Sequence, residues 1–322
     1  MSIFHEHDFS AIMQGAKTAA IAGHIHPDGD CVGSCLGFLL YLQEQFPDVK
    51  IDLLLETFPD SFRILPGIGQ VKHTCCADTV YDVFFCLDCG DRRRLGDFAV
   101  CFDKAAYTVC IDHHISNQAF ASENFIDPQA SSTSELICDL TGMDHITRDM
   151  AQALYMGIIH DTGMFQYSCT SPHTMTVAAQ LMEKGAAYTQ IAAETFFSRS
   201  AVQSRLLGKA LSSYKALCGG KILYYVLTKK ELEELGGTVL DLDGISAQMK
   251  LTEGSVAVLF LYETEEQVYK VSMRSNEQAD VSVAAVRFGG GGHKRAAGAT
   301  IHGTASDVIQ GLVDVIRPQL ED

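Results

Sequence analysis

Residues 21–34 read IAGHIHPDGDCVGS, and the rest of the chain is organised around this stretch. The apolar run at residues 18–22 predicts a buried strand, the proline and glycine after it predict a turn, and a helix is expected next. Side chains at the end of such a strand face the crevice where α/β proteins bind ligands. The turn carries three candidate ligands of a kind that suits divalent metals such as Mn²⁺: His24, Asp28 and Asp30.

The composition limits the classes of protein to which the chain can belong. With 322 residues, of which 47% are hydrophobic, two domains are expected. The formal net charge of −16 argues against a surface that coats long nucleic acid, although bound cations would admit a short anionic substrate. The N-terminal sequence MSIFHEHDFS lacks the pattern of a signal peptide, and no apolar run reaches the length of a membrane span. A cytoplasmic protein is expected.

The eleven cysteines favour the same location. Most stand in apolar surroundings, which is typical of reduced, buried thiols in a cytosolic protein. Cys86 and Cys89 form a C-x-x-C pair, but no second pair stands at zinc-finger spacing. We therefore favour reduced cysteines over a structural zinc site.

Strands and helices are expected to alternate through the first part of the chain. The apolar patterns predict strands at residues 18–22, 49–55, 82–87 and 106–111, and helices at residues 8–18, 32–46, 134–140 and 150–159. Such alternation is typical of an α/β fold with a mainly parallel sheet.

A second, smaller domain with a mixed α/β sheet is expected after a helical connector. The patterns predict strands at residues 222–227, 255–262, 268–273 and 281–288, and helices at residues 229–235, near 245 and at 306–315. The expected divisions are a catalytic domain at 1–188, a connector at 189–215 and a substrate-binding domain at 216–322.

Three of the predicted strands end in acidic or histidine clusters. Asp88 and Asp91 follow the strand at 82–87, and Asp112, His113 and His114 follow the strand at 106–111. Parallel strands bring their carboxyl ends to one edge of a sheet, so these clusters should converge. Together with Asp161, which follows a helix, they supply ligands for two divalent ions: His24, Asp28, Asp30, Asp88, His113 and Asp161.

This ligand set indicates metal-assisted hydrolysis of a phosphoester or phosphoanhydride. Asp88 is expected to bridge the two ions, because it ends a central strand. A water between the ions would lose a proton near neutral pH, and the resulting hydroxide would attack phosphorus in line. His114 would either contact the phosphate or leaving group, or orient a metal ligand.

A glycine tract near the C-terminus predicts an anion site. Residues 289–292 are four glycines, and His293, Lys294 and Arg295 follow. Glycine lets backbone N–H groups approach an anion closely, and we expect the next residues to begin a helix whose N-terminus favours negative charge. Arg274, at a predicted strand end, would either add a bidentate phosphate donor or form a surface salt bridge.

The motifs resemble, in order, those of the DHH phosphoesterase family. They are His24-x-x-x-Asp28-x-Asp30, Asp88 at a strand end, Asp112-His113-His114 and Asp161-Thr162-Gly163. The tract GGGGH at residues 289–293 is similar to the signature of the DHH-associated substrate-binding domain. Length and layout are most similar to the short NrnA-type members. These degrade short oligoribonucleotides, dephosphorylate 3′-phosphoadenosine 5′-phosphate (pAp) and, in some lineages, cleave linear or cyclic di-AMP.

The resemblance implies a role for each matching residue. His24 and Asp28 would hold one Mn²⁺, the other would be held by Asp30, His113 and Asp161, and Asp88 would bridge them. His114 would lie near the scissile phosphate, so Asp88 and His114 are the catalytic candidates. The candidates for substrate binding are Arg274, Ser275, Asn276, Gly290, Gly291, His293 and Arg295, with Ser132 and Thr133 from the first domain.

We therefore expect an Mn²⁺-dependent phosphodiesterase or phosphatase that hydrolyses short oligoribonucleotides, linear dinucleotides such as pApA, or pAp to mononucleotides. Mg²⁺ and Co²⁺ are the alternative cofactors. A cyclic dinucleotide phosphodiesterase, or a pyrophosphatase or polyphosphatase on the same metal core, is the alternative activity. A non-catalytic nucleotide-binding module would require the loss of metal ligands. The expected partners are small nucleotides, with no long duplex and no membrane, and a homodimer is a family expectation.

Overall fold

The computed structural model describes residues 6–76 and 78–320. The chain divides into two compact units, Met1–Ser198 and Arg199–Asp322. The predicted domain limits at residues 188 and 216, with a separate connector between them, stay a prediction. Residues 1–5 of the N-terminal sequence MSIFHEHDFS, which lacks the pattern of a signal peptide, lie outside the described residues.

The first unit contains a fully parallel six-stranded sheet with the order β3-β2-β1-β4-β5-β6. This arrangement confirms the predicted fold class. The strands are β1 (Thr18–Ala22), β2 (Lys50–Leu54), β3 (Val71–Lys72), β4 (Val83–Leu87), β5 (Tyr107–Asp112) and β6 (Glu123–Ile126).

Helices cover both faces of this sheet. They are α1 (Ser10–Met13), α2 (Gly29–Gln45), α3 (Ala99–Lys104), α4 (Thr133–Thr141), α5 (Arg148–Asp161), α6 (Pro172–Glu183) and α7 (Tyr188–Ile191). Short 3-10 segments are Asp60–Ile64, Ile68–Gln70, Arg92–Phe98 and Met143–His145, and a π-helical segment is Ala192–Phe197. Helix α1 is shorter than the predicted helix at residues 8–18, because the chain turns at Gly15 with a φ of 76°.

Alternate residues of the central strands face opposite hydrophobic layers, as strand geometry requires. Phe85 packs in the larger core, which α2, α4, α5 and α6 cover. Phe84 packs in the smaller core on the other face, against Phe98 and Phe102. A strand that is buried on both faces has a continuous apolar sequence. The sequence VFFCL of β4 therefore predicts a central strand of the sheet.

The second unit contains a mixed six-stranded sheet with the order β11-β12-β10-β9-β8-β7. Among the described strands of this second sheet, only the β8–β9 pair is parallel. The strands are β7 (Lys215–Leu217), β8 (Ile222–Leu227), β9 (Ala257–Glu265), β10 (Val268–Ser275), β11 (Gly291–His293) and β12 (Ala296–His302). The helices are α8 (Ala201–Ser213), α9 (Lys229–Glu234), α10 (Ile245–Met249), α11 (Val281–Arg287) and α12 (Ala305–Ile316), with 3-10 segments at Cys218–Gly220, Val239–Leu242 and Arg317–Leu320.

The prediction of a strand at residues 281–288 is wrong, because this segment is helix α11. Val281, Ala284 and Ala285 are buried at helical spacing. The side chain of Asp280 caps the helix by accepting a hydrogen bond from the Ser282 amide. Valine favours strands only weakly, and the cap and the packing outweigh that preference here.

The prediction of a helix after the glycine tract is also wrong. Residues 291–293 form the edge strand β11, and the alanine-rich segment after it is strand β12, which pairs with β10 and β11. A Cβ atom at Gly290 would overlap the Gly298 carbonyl oxygen, so the glycine allows two backbones to approach closely. The glycines therefore shape a hairpin rather than a helix N-terminus.

Two further findings concern the whole described chain. In residues 6–76 and 78–320, no helix is both long enough and apolar enough to cross a membrane. All eleven cysteines are free, and seven of them are buried.

Candidate metal centre

The carboxyl ends of β1, β4 and β5 lie side by side, because these strands are neighbours in the parallel sheet. The strand ends bring the loop of His24 close to Asp88 and His113, and Asp161 reaches the same place as the last residue of α5. The Asp88 backbone has a φ of 56°, a conformation that is uncommon outside glycine. Such strain concentrates at functional sites, where the surrounding structure maintains it.

One ligand group forms around His24, which is buried. Its Nε2 lies 3.7 Å from Asp28 Oδ2 and 3.4 Å from Asp88 Oδ2. Its Nδ1–H donates to the Ile25 carbonyl oxygen at 2.8 Å, which fixes the ring and leaves the Nε2 lone pair facing the carboxylates. The Asp28 side chain also caps α2 by accepting from the amides of Asp30 and Cys31.

A second ligand group contains Asp30, His113 and Asp161, whose ligand atoms all lie within 4.8 Å of one another. His113 Nε2 lies 3.0 Å from Asp161 Oδ2 and 3.7 Å from Asp88 Oδ1. The Asp88 carboxylate thus presents Oδ2 to the first group and Oδ1 to the second. This is the geometry expected of a bridging ligand between two ions.

The amino end of α4 supports both groups, a role that the sequence analysis missed. The amides of Thr133 and Ser134 donate to the two oxygens of Asp30, at 2.7 and 2.9 Å. The Thr133 hydroxyl donates to Asp88 Oδ1 at 3.0 Å. Ser132 caps the helix by accepting from the Glu135 amide, and the Ser132-x-x-Glu135 spacing is the sequence signal that marks this helix start.

Ser132 and Thr133, two candidates for substrate binding, are therefore both fully buried and both hydrogen-bonded within the first unit. Their polar groups serve the helix cap and the candidate metal ligands Asp30 and Asp88. Substrate binding by these two residues stays a prediction.

Thr133→Val should weaken metal binding by about 10–100-fold, the range found when a group that orients a metal ligand is lost. The change keeps the side-chain shape but removes the donor to Asp88. Titration of the metal-free protein with Mn²⁺, followed by electron paramagnetic resonance, measures this affinity. Thr141→Val is the matched control, because the Thr141 hydroxyl is equally buried in α4 and donates to the Ile137 carbonyl within the helix. Equal affinities in the two variants would contradict the assigned role.

The charges at this site fit divalent cations. Burial, reinforced by the charges of Asp88 and Asp161, raises the pKa of Asp30 well above its usual range. Burial opposes a charged His24, yet the Cys31 sulphur and the carboxylates of Asp28 and Asp88 raise the pKa of His24 to about 12. Burial likewise opposes a charged His113, and Asp161 and Asp88 raise the pKa of His113 to about 11.

The four carboxylates of this site thus draw protons to neighbouring groups when no cation balances their charge. Two divalent cations would offset the charge of the four carboxylates and leave both imidazoles neutral, as metal ligation requires. The donor set of imidazole nitrogens and carboxylate oxygens is one that Mn²⁺ accepts. The residues present therefore fit a pair of divalent ions.

His114 stands beside the second group but is turned differently. Its Nδ1 hydrogen-bonds to Asp112 Oδ1 at 2.7 Å, and the Asn117 amide donates to the other oxygen of Asp112. The bond to Asp112 raises the pKa of His114. Asp112 is fully buried and His114 is 38% exposed, so a fixed and partly exposed imidazole lies beside the centre.

In the second unit, Arg274 and His293 lie in one row of the sheet. Each is the register partner of Ala296, Arg274 from β10 and His293 from β11. Directly opposed residues of antiparallel strands share a face, so these two side chains lie on the same face about 10 Å apart. The sheet thus brings together two candidates that are separated by nineteen positions in the sequence.

Arg274 and most of the other candidates of the second unit have local partners. Arg274 Nη1 donates to the Met273 carbonyl oxygen at 3.0 Å. The buried Ser275 hydroxyl donates to the Ala279 carbonyl oxygen, and Asn276 Oδ1 accepts from the Gln278 amide. Arg295 pairs with Glu277 on the surface. Gly291 is exposed with open space around it, whereas Gly290 is packed against β12. Substrate binding by Ser275, Asn276, Gly290, Gly291 and Arg295 stays a prediction.

Comparison with known proteins gives a consistent result along most of the chain. Residues 18–158 match the model of the DHH family, N-terminal domain, and residues 219–322 match the model of the DHHA1 domain. The bifunctional oligoribonuclease and PAP phosphatase NrnA of Thermus thermophilus is 30% identical over 93% of this chain and 89% of its own length. The Bacillus subtilis protein of the same name is 26% identical over 88% of this chain and 90% of its own length.

A solved structure has the same fold over nearly the full length. The crystal structure of an exopolyphosphatase-related protein from Bacteroides fragilis superposes with a TM-score of 0.87 at 26% identity. The superposition covers 98% of this chain and 96% of the other.

Proposed function

The chain belongs to the DHH family of phosphoesterases and carries a DHHA1 domain, and on this premise we propose that it hydrolyses short oligoribonucleotides and pAp to mononucleotides. The observation that carries this proposal is the Asp88 carboxylate, which faces one ligand group with each oxygen. The relatives named as bifunctional oligoribonuclease and PAP phosphatase support the substrate class.

In this proposal the residues of the first unit hold and orient the reacting groups. His24, Asp28 and Asp88 would hold one divalent ion, and Asp30, His113, Asp161 and Asp88 would hold the other. The bound ions would supply charge neutralisation of the phosphate and a lowered pKa of a water. His114, fixed by Asp112, donates from Nε2 to the phosphate or to the leaving oxygen.

The second unit binds the part of the substrate that does not react. Arg274 and His293, on one face of the sheet, are positioned to hold a phosphate or sugar, and the exposed Gly291 lies in the same edge strand as His293. Asn276 and Arg295 border this row. Binding energy from such remote groups selects a substrate by its length and termini, as an enzyme for very short oligonucleotides requires.

Arg274→Ala and His293→Ala should each raise KM by roughly 10–100-fold, the equivalent of one lost charge-assisted hydrogen bond. The value of kcat should change much less, because neither residue belongs to the metal centre. Steady-state kinetics with a trinucleotide measures both constants. Arg287→Ala is the control, since Arg287 is an exposed arginine at the end of α11. An unchanged KM in both variants would exclude Arg274 and His293 from substrate binding.

Three finer assignments belong to the same proposal. We assign Mn²⁺ as the native metal on the basis of the nitrogen and oxygen donors, with Mg²⁺ and Co²⁺ as substitutes. The free, mostly buried cysteines support a reducing compartment and thus the cytoplasm. The net charge of −16 supports small nucleotides rather than a long duplex as partners. A homodimer is retained as a family expectation.

The test is a substrate panel with purified protein and Mn²⁺: pAp, a short oligoribonucleotide, pApA, cyclic di-AMP, pyrophosphate and polyphosphate. Release of mononucleotides from the oligoribonucleotide or pApA, together with phosphate from pAp, is the expected result. Hydrolysis of pyrophosphate or polyphosphate alone would overturn the proposed substrate class while leaving the metal centre in place. Cleavage of cyclic di-AMP in preference to all other substrates would instead indicate a cyclic dinucleotide phosphodiesterase.

A further inference from the structure

Cys31 is a buried thiol that points into the first ligand group. It directly follows Asp30 in the first turn of α2 and has no exposed surface. Its sulphur and the ligand atoms of His24 and Asp88 all lie within 4.8 Å of one another. All three side chains are more than nine-tenths buried. The thiol therefore occupies a position from which it can reach the same cation as its two neighbours.

The backbone leaves this place open for the sulphur. A Cβ atom at residue 23 would overlap Cys31 Sγ, so the sulphur occupies the space that Gly23 leaves free at the end of β1. The Cys35 sulphur, one helical turn further along α2, would lie 3.2 Å from that same Cβ. The thiol of Cys31 contacts the His24 carbonyl oxygen at 3.9 Å, a long and weak hydrogen bond. The Cys35 side chain is the other hydrogen-bond partner of this thiol, so its partners are one thiol and one distant carbonyl oxygen, which a cation could replace.

The second ligand group differs in its donors. Asp30, His113 and Asp161 supply oxygen and nitrogen, and no cysteine is part of that group among the described residues. Thiolate is a soft ligand that favours zinc, iron or cobalt, whereas carboxylate suits manganese and magnesium. One sulphur on one side would make the two metal positions chemically unequal.

We propose that Cys31 is a ligand of the cation held by His24, Asp28 and Asp88, and that it gives this position a preference for a softer metal than the position of Asp30, His113 and Asp161. The inference rests on the proposed function, since it concerns the same metal centre. On binding, the sulphur–hydrogen bond breaks, its electron pair forms the bond to the cation, and the proton leaves to solvent. No electron is transferred.

Cobalt titration of the metal-free protein tests the ligand without using activity. A thiolate bound to Co²⁺ absorbs in the near ultraviolet by charge transfer from sulphur to metal, and carboxylate and imidazole do not. We expect two cobalt ions to bind per chain and the charge-transfer band to saturate with one of them. Cys31→Ala and Cys31→Ser should lose this band and still bind cobalt at the other position.

Cys35→Ala is the matched control, because Cys35 is equally buried on the same helix but is not part of the ligand group. It should keep the band. Competition of Zn²⁺ with Mn²⁺ gives a second measurement, in which wild-type protein should take up one zinc per chain in preference and Cys31→Ser should not.

Three outcomes would overturn the inference. If wild-type protein binds two cobalt ions without the band, Cys31 is not a ligand and the proposed function is unaffected. If the band persists in Cys31→Ala, another cysteine is the ligand. If no cobalt binds at all, the two-metal centre fails, and the proposed function fails with it.

Discussion

Asp88→Asn is expected to abolish hydrolysis, with a loss of kcat on the order of 10³-fold or more, because both ions lose the ligand that they share. An amide cannot supply two anionic oxygens to two cations. Asparagine nevertheless tolerates the positive φ of Asp88, so the backbone should keep its conformation. Asp88→Ala should lose activity in the same way, with an added cost in stability from the positive φ.

Thermal unfolding separates loss of the metal from loss of the fold. Wild-type protein should be stabilised by added metal, by about 2.7 kcal/mol for each bound ion when the free metal is a hundred times its Kd. Asp88→Asn should lack most of this shift. Its metal-free form should be somewhat less stable than wild type, because the Asp88 carboxylate favours the charged forms of His24 and His113 at 3.4 and 3.7 Å.

Asp91→Asn is the control for this prediction. Asp91 lies in the same loop, about half exposed, and its carboxylate pairs with Arg93. Activity and the metal-dependent shift should both remain. Wild-type turnover in Asp88→Asn would exclude Asp88 as a bridging ligand and would undermine the proposed centre.

Gly157→Ala is expected to destabilise the protein and to weaken metal binding together. Gly157 lies inside α5, and an added Cβ would overlap Ser134 Oγ and lie 2.7 Å from Asp30 Oδ1. Overpacking of this kind costs about 1–3 kcal/mol, whereas alanine in a helix gains only about 0.4–1 kcal/mol. The steric cost therefore wins, and displacement of Asp30 should lower the affinity for the ion that it holds. Urea unfolding and Mn²⁺ titration measure the two effects.

Gly208→Ala is the matched control. Gly208 lies in the middle of α8 on its exposed surface, and nothing lies within 4 Å of the added Cβ. There the helix preference acts alone, and a gain of about 0.5–1 kcal/mol is expected. A Gly157→Ala variant with wild-type stability and metal affinity would show that α4 and α5 can move apart without disturbing Asp30.

The fold of the first unit could be read from the sequence because its central strands are buried on both faces. A run such as VFFCL is apolar throughout and shows no alternation of polar and apolar residues that could be misinterpreted. Because strands and helices alternate along the chain, neighbouring strands are expected to be parallel. In the second unit the same reasoning was less successful. The strand predicted at residues 281–288 is a helix, and the helix predicted after the glycines is a strand, because short segments take the structure that their neighbours can pack against.

The candidate site shows the same division. His24, Asp88 and His113 could be brought together by reasoning from strand ends alone, because parallel strands share an edge. The support of Asp30 and Asp88 by the amino end of α4 could not, since those contacts join residues more than forty positions apart. The same is true of the common row of Arg274 and His293, which depends on the register of two strands with β12.

The sequence by itself determined which residues can bind metal and at which strand ends they stand, because residue chemistry and the direction of the chain are local properties. Only the tertiary structure decided which oxygen of Asp88 faces which histidine, which glycines leave room for neighbours, and that the Cys31 thiol belongs with His24. These depend on distances of a few ångströms between segments remote in the chain. They are fixed by packing, where the volume of a single methyl group decides the arrangement.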